Sequence, residues 1–402
     1  MFCSLHFRDT DFRMHHFHTG WFILFLVSFI AIFAILSALA YRFTRSLFPE
    51  GRKISVIVIA LFAILFSSFI VRRYFHAPPD NAALSLFLIA GNFHILAVLY
   101  LAISCILTES LVFAFRASGL PGTGKILRFR KYISYALLSI TAIAIIAGYI
   151  NTLSLKTVHY NLTIAKQAPV RTLRIAAVSD IHAGDIIREE RVRKIADKIN
   201  SLKPDCVIIA GDLFDHSVDD VISNGTLSPL KSVNAKYGKF IALGNHDYFD
   251  NGDKVTRYAK SLGFTVLRDR VISAGNAFYV AGRDDYAIAR RTGMSRKDIS
   301  EIIRGADRAI PFILIDHQPN TVDEAIANGI DLQISGHTHN GQFWPVNLIT
   351  DIIYNPSYGH RVSGSTNVIV TSGAGTWGPP VRTSGRCEII CIDIRFNADN
   401  AK

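Results

Sequence analysis

Four long uncharged or nearly uncharged runs open the chain, and shorter apolar runs set between polar stretches follow them. The long runs cover residues 21–41, 54–71, 82–115 and 132–150. The first holds 21 residues, the second 18 and the fourth 19, all without a charged side chain. The third holds one acid, Glu109, near its far end. A helix needs about 20 apolar residues to cross a hydrocarbon core. The pattern therefore predicts four spans, at about 21–41, 54–71, 83–107 and 132–150. A cleaved signal peptide has a shorter apolar core than the first run, and three further runs follow here.

The texture changes at residue 171. Apolar runs of strand length cover 173–178, 206–210, 240–243, 312–315, 331–335, 368–371 and 388–394. Between the first two, Val192, Ile195, Ala196, Ile199 and Leu202 follow helical spacing. Strands alternating with helices predict a layered α/β domain. The organisation read from the pattern is a helical membrane region over 1–150, a polar linker over 151–168, a catalytic domain over 169–395 and a polar tail over 396–402.

Charge changes the picture only by its location. The 402-residue chain carries a formal charge of +11. Residues 1–150 hold 13 basic and 5 acidic side chains, and the remainder 30 and 27. The excess therefore flanks the spans, and no basic stripe argues for nucleic acid. Arg42, Arg45, Arg52 and Lys53 lie between spans one and two; Arg116, Lys125, Arg128, Arg130 and Lys131 lie between three and four. The opposite loop has only Arg72 and Arg73, and the N-terminal tail Arg8 and Arg13. Basic loops stay in the cytoplasm, so the expectation is a multi-pass protein of the cell (inner) membrane with its catalytic domain outside. The five cysteines, Cys3, Cys105, Cys206, Cys387 and Cys391, suggest no disulfide framework.

Five motifs end the strand-like runs: Asp180-Ile181-His182, Gly211-Asp212, Gly244-Asn245-His246-Asp247, His317 and Gly336-His337-Thr338-His339. Together they offer carboxylate, amide oxygen and imidazole, a ligand set for two divalent ions sharing a bridging carboxylate. In open α/β sheets, ligands gather outside the carboxyl ends of strands, where all five motifs fall. His216, His360 and the cluster His6, His15, His16 and His18 read as surface groups, and Asn92 and His94 as interhelical hydrogen-bonding groups inside the third span.

The ordered series resembles the calcineurin-like metallophosphoesterase superfamily. The continuation through Gln342 and the segment Gly373-Ala-Gly-Thr-Trp-Gly-Pro-Pro-Val-Arg382 resemble its membrane-associated YkuE/YaeI-like branch. Members of that branch commonly carry Gly where this chain has Asn340. The resemblance covers residues 171–395 and implies a four-layer α/β/β/α sandwich. It implies that Asp180, His182, Asp212 and His339 hold one metal and that Asp212, Asn245, His317 and His337 hold the other, with Asp212 as bridge. The ions would be Mn, Fe or Zn, Mn favoured. A hydroxide bridging them would be the nucleophile, His246 would serve the leaving oxygen, and the Asp215 carboxylate would orient His246. Trp377 and Arg382 are candidate substrate contacts.

The expected function is hydrolysis of a phosphomonoester, phosphodiester or pyrophosphate bond in a small-molecule or lipid-linked substrate of the cell envelope. Membrane lipids are the expected surroundings, and no obligate protein partner is evident. The competing expectation is a transporter or binding protein with an appended regulatory domain of this type.

Overall fold

The computed structural model describes residues 31–45, 47, 52–74, 82–118 and 123–397. The chain divides into two compact units, Met1–Ile145 and Ile146–Lys402.

The first unit is helical: α1 over residues 31–45, α2 (Arg52–Tyr74), α3 (Ala82–Ala117) and most of α4 (Thr123–Leu153). Among the described residues, two helices are long and apolar enough to cross a membrane, Ala82–Ala117 and Arg130–Leu153. The apolar stretch Val56–Ser68 in α2 is shorter. Two such helices thus stand where four spans are expected, and residues 21–30 of the first lie outside the described residues. Glu109 is paired with Arg130 and, at 3.3 Å, with Arg42, which offsets its charge on an apolar helix. His94 packs its ring 4.8 Å from that of Phe62. Its Nε2 and the Asn92 Nδ2 find no hydrogen-bond partner among the described residues, so these atoms do not form the expected interhelical bond.

In the second unit two six-stranded sheets lie face to face. The first runs β1 (Leu155–Ile164), β12 (Cys387–Phe396), β2 (Thr172–Val178), β3 (Cys206–Ala210), β4 (Lys239–Ala242), β5 (Thr265–Val266). The second runs β10 (Gly359–Ser363), β11 (Thr366–Val370), β9 (Leu332–Ser335), β8 (Phe312–Ile315), β7 (Phe278–Gly282), β6 (Arg270–Ala274). Strands β2 to β5 are mutually parallel, as are β7, β8, β9 and β11. Of these, β2, β3, β4, β8, β9 and β11 read as continuous apolar runs, because both of their faces are covered.

Alternation decides which face each side chain serves. Leu173, Ile175 and Ala177 of β2 join Ile208, Ile313, Ile334 and Ile392 between the sheets. Ala176 and Val178 point the other way, into a core roofed by α5 (Glu189–Ser201), α6 (Val218–Ser223) and α7 (Gly252–Ser261). Ile288 of α8 (Ala287–Thr292) joins that core. Across the second sheet, α9 (Ile299–Ile302) and α10 (Val322–Ala327) cover Phe312 and Leu314. The layers are α/β/β/α. Helix α11 (Val346–Ile353) buries none of its side chains.

One expectation needs correction. The stretch 151–168 is not a linker: α4 continues to Leu153, and β1 pairs with β12 in parallel from Leu155↔Cys387 to Ile164↔Phe396. Leu162 and Ile164 enter the core between the sheets.

Candidate metal centre

Five parallel strands deliver the site. Asp180 and His182 follow β2, Asp212 follows β3, Asn245 and His246 follow β4, His317 follows β8, and His337 and His339 follow β9. All these turns lie at carboxyl ends, so donors from both sheets meet at one end of the sandwich. The turns are cross-tied: Asp180 N donates to Gly211 O (3.0 Å), His182 N to Asp212 O (3.1 Å) and Gly336 N to His317 O (2.9 Å).

Backbone strain is concentrated here. Asp180, His182, Asp212, His337 and His339 all have positive φ, between 51° and 70°. A left-handed conformation at a non-glycine residue costs of order 1–3 kcal/mol and persists only where its surroundings impose it. Five of the seven candidate ligands are held this way. Gly211, at φ +85°, leaves the room His317 needs: a Cβ there would lie 2.5 Å from His317 Nδ1.

The donor atoms converge. Asp180, His182 and His339 bring one ligand atom each within 4.8 Å of one another; so do Asp212, His317 and His337, and so do His182, Asp212 and His246. His317 Nε2 lies 3.2 Å from Asp212 Oδ2 and 3.2 Å from Asn245 Oδ1. His337 Nδ1 lies 2.8 Å from that same amide oxygen. His339 Nε2 is 3.3 Å from Asp180 Oδ1 and 3.0 Å from His182 Nε2. Asp212 belongs to two of these groups, which suits a bridging role.

The residues fit divalent ions on three counts. Carboxylate oxygens, an amide oxygen and imidazole nitrogens crowd within 2.8–3.3 Å of one another. His317 Nδ1 lies 2.7 Å from the Ala210 carbonyl oxygen, to which it donates; this fixes the tautomer and leaves Nε2 for a ligand. Among the described residues, buried His182 Nδ1 has no hydrogen-bond partner, and Asp215 Oδ1 lies 3.7 Å from it.

Electrostatics agree. Burial, helped by His246, pushes His182 down to about 4. Burial, helped by His317, takes His337 down to about 3. Burial, then His182 and Arg382, hold His339 well below the usual range. These imidazoles are neutral at pH 7, the form that ligates. Burial opposes charge on Asp212 too, but His317, His246 and His182 outweigh it and keep the carboxyl well below its ordinary range. Burial likewise opposes charge on His317, but Asp212 holds that ring well above its usual value. The two groups thus stabilise each other's charge across 3.2 Å.

The expected acid–base pair is arranged differently from the sequence reading. His246 Nδ1 lies 3.0 Å from the main-chain oxygen of Asp215, while the carboxylate is 3.8 Å away. That carboxylate sits 3.0 Å from His216 Nδ1, so His216, read as a plain surface group, stands at the edge of the site with a half-exposed side chain. Trp377 is half exposed, its backbone held by the Gln342 side chain at 2.9 and 2.7 Å.

Arg382 departs from expectation. It is 1% exposed and donates to the carbonyls of His339 (3.0 Å), Ser372 (2.5 Å) and Gly375 (2.8 Å). So buried, the guanidinium braces the backbone around His339 rather than facing solvent, where a phosphate contact was expected.

Asp247, part of the third motif, was given no role of its own by the sequence. It is fully buried and accepts from the amides of Leu213 (2.9 Å), Phe214 (3.1 Å) and Gly244 (2.9 Å), clamping the β3 and β4 turns together.

The model for the calcineurin-like phosphoesterase family matches residues 173–341. An uncharacterised metallophosphoesterase of Campylobacter jejuni is 30% identical over 313 residues, 75% of this chain and 82% of that protein. The chain belongs to this metallophosphoesterase family. One from Helicobacter pylori (strain J99) is 32% identical over 54% of this chain and 59% of its own length. A zebrafish transmembrane protein with a metallophosphoesterase domain is 31% identical over 64% of this chain and 62% of its own length. The chain thus spans about three fifths of the length of these last two relatives.

Proposed function

We propose that this chain is a membrane-anchored, binuclear metal-dependent phosphoesterase acting on a lipid-linked or cell-envelope phosphate. The observation that carries the reading is that Asp212 belongs to two clusters of donor atoms, one with His182 and His246 and one with His317 and His337. Asp180, His182, Asp212 and His339 hold one ion; Asp212, Asn245, His317 and His337 hold the other. Manganese, iron and zinc all suit this mix of imidazole, carboxylate and amide oxygen, and manganese is our first choice. Ions held there would polarise the phosphoryl oxygens and acidify the attacking water.

The chain's own groups supply the rest. The Asp212 carboxylate offsets the repulsion between two cations. The backbone amide of His246 donates to Asp212 Oδ1 at 2.8 Å, fixing that carboxylate's orientation. The Asp215 carbonyl anchors one nitrogen of His246 and leaves the other for the leaving oxygen's proton. Half-exposed Trp377 stands on the segment bonded to Gln342, three residues beyond His339, and is our candidate for a substrate contact.

For the membrane region we propose four spans with the second unit outside the cytoplasm, on the strength of the basic loops. The reading is tested with the full chain in detergent, loaded with manganese, against lipid headgroup diesters, nucleotide sugars and aryl phosphates. Metal-dependent release of phosphate or phosphomonoester from the lipid-linked members supports it. A metal-loaded protein inert towards all three classes contradicts it.

A further inference from the structure

The second unit carries an apolar surface that neither the family match nor the metal centre uses. Helix α11 lies beyond the matched residues, which end at 341. Its Leu348, Ile349, Ile352 and Ile353 are exposed, Ile352 at 85%. Trp344, two residues before the helix, is 51% exposed, and Trp377 is 50% exposed. From Gln342 to Asn355 the only charged residue is Asp351, and its carboxylate accepts from Ser357 Oγ. Scattered exposed apolar side chains are ordinary; a helix with no buried residue flanked by an exposed tryptophan is not.

What covers this face is indicated by what it is joined to. Trp344 N donates to Thr383 Oγ1 (3.0 Å), and the Gln342 side chain holds the backbone of Trp377. The same 377–385 segment receives the end of α4. Asn151 Nδ2 donates to the carbonyls of Arg382 (3.0 Å) and Gly385 (2.9 Å), and Arg382 N donates to Gly148 O (3.0 Å). Within this unit α4 itself exposes Ile146, Tyr149, Ile150 and Leu153. These are the last turns of a helix long and apolar enough to span a bilayer. One segment therefore ties the exit of a membrane helix, two exposed tryptophans and an exposed apolar helix together.

We propose that α11, with Trp344 and Trp377, docks on the phospholipid surface, its apolar face at the boundary of headgroups and acyl chains. Amphipathic helices and tryptophan occupy that boundary because one side is apolar and the other wet. Without a basic residue on α11, the contact is apolar and needs no anionic lipid. Because α11 follows the His339 turn directly, with the Gly341 backbone packed on Asn347, docking holds the metal centre beside lipid-borne phosphates. This last step rests on the phosphoesterase reading; the docking itself does not.

The test uses the full chain in lipid nanodiscs with Trp21→Phe, so that Trp344 and Trp377 are the remaining tryptophans of three. Phospholipids brominated near the headgroup should quench most of the emission, equally at low and high salt. Absence of quenching, or quenching abolished by salt, overturns the proposal. A second copy covering the face would instead give inter-chain cross-linking of Ile352→Cys without quenching, which also overturns it. In the activity arm, Leu348→Asn with Ile352→Glu should slow turnover of vesicle-borne lipid phosphate several-fold and leave a soluble aryl phosphate unchanged. Quenching with no activity on either substrate retains the docking and defeats the phosphoesterase reading. An equal fall on both substrates defeats the link between docking and substrate access.

Discussion

Arg382 Nη1 donates to the carbonyl oxygen of His339 at 3.0 Å, and its Nη2 lies 3.1 Å from His339 Nδ1. One buried guanidinium thus holds the backbone of a candidate metal ligand and packs against its ring. Loss of groups that orient metal ligands typically costs 10–100-fold in metal affinity. Arg382→Lys keeps the charge but not the planar fork. The expected outcome is about a 10–100-fold weaker affinity for one of the two ions, measured by metal titration on protein whose circular dichroism is unchanged. Undiminished affinity at both sites would assign Arg382 to loop structure alone.

His246 and Asp215 should separate cleanly. The bond between them uses the Asp215 main-chain oxygen, which survives any side-chain change. His246→Ala should lower turnover by about 10²–10⁴ with metal content retained, and less so for good leaving groups. Asp215→Asn should leave the leaving-group dependence of wild type in place. Its effect should fall on His182 and His216, whose Nδ1 atoms lie 3.7 and 3.0 Å from the carboxylate. Matching leaving-group profiles for the two variants would return the orienting role to the carboxylate.

Strand β1 belongs to the catalytic unit. A fragment beginning at residue 165 loses its pairing with β12 and the buried side chains of Leu162 and Ile164. Each such side chain contributes about 1.5–3 kcal/mol when buried. That fragment should therefore melt well below one beginning at residue 146, which also keeps Asn151 bonded to Arg382 O and Gly385 O. Equal melting temperatures would show that the β1 pairing contributes nothing.

Six parallel strands, β2, β3, β4, β8, β9 and β11, were legible because both of their faces are buried, leaving uninterrupted apolar runs. Edge strands were not. In β1 only Val158, Tyr160, Leu162 and Ile164 alternate with polar residues, a half-buried pattern next to a long span. The β6–β7 hairpin turns at Gly275-Asn276, both at positive φ, a turn signal that was present and unread. Asp180, His182, Asp212, His317, His337 and His339, which the fold brings into clusters, stood out by residue type and order. The bracing roles of Asp247 and Arg382 were not legible, because they lie in contacts with backbone groups far along the chain.

Sidedness decides which substrates are reachable. Ser365, exposed beside β10, can carry a single reporter cysteine. With Ser365→Cys in a chain otherwise free of reactive thiols, a membrane-impermeant maleimide added to intact cells should label it. Labelling only after the membrane is opened would place the second unit in the cytoplasm and reverse the topology.

The account stands on two ions sharing Asp212. The measurement is metal content by mass spectrometry of the purified full chain, alongside Asp212→Asn and its phosphoesterase rate. The shared-bridge arrangement predicts about two divalent ions per chain in the wild type, and loss of both ions with nearly all activity in the variant. A fully active wild type with a single ion, or an Asp212→Asn chain that keeps both ions, would contradict it.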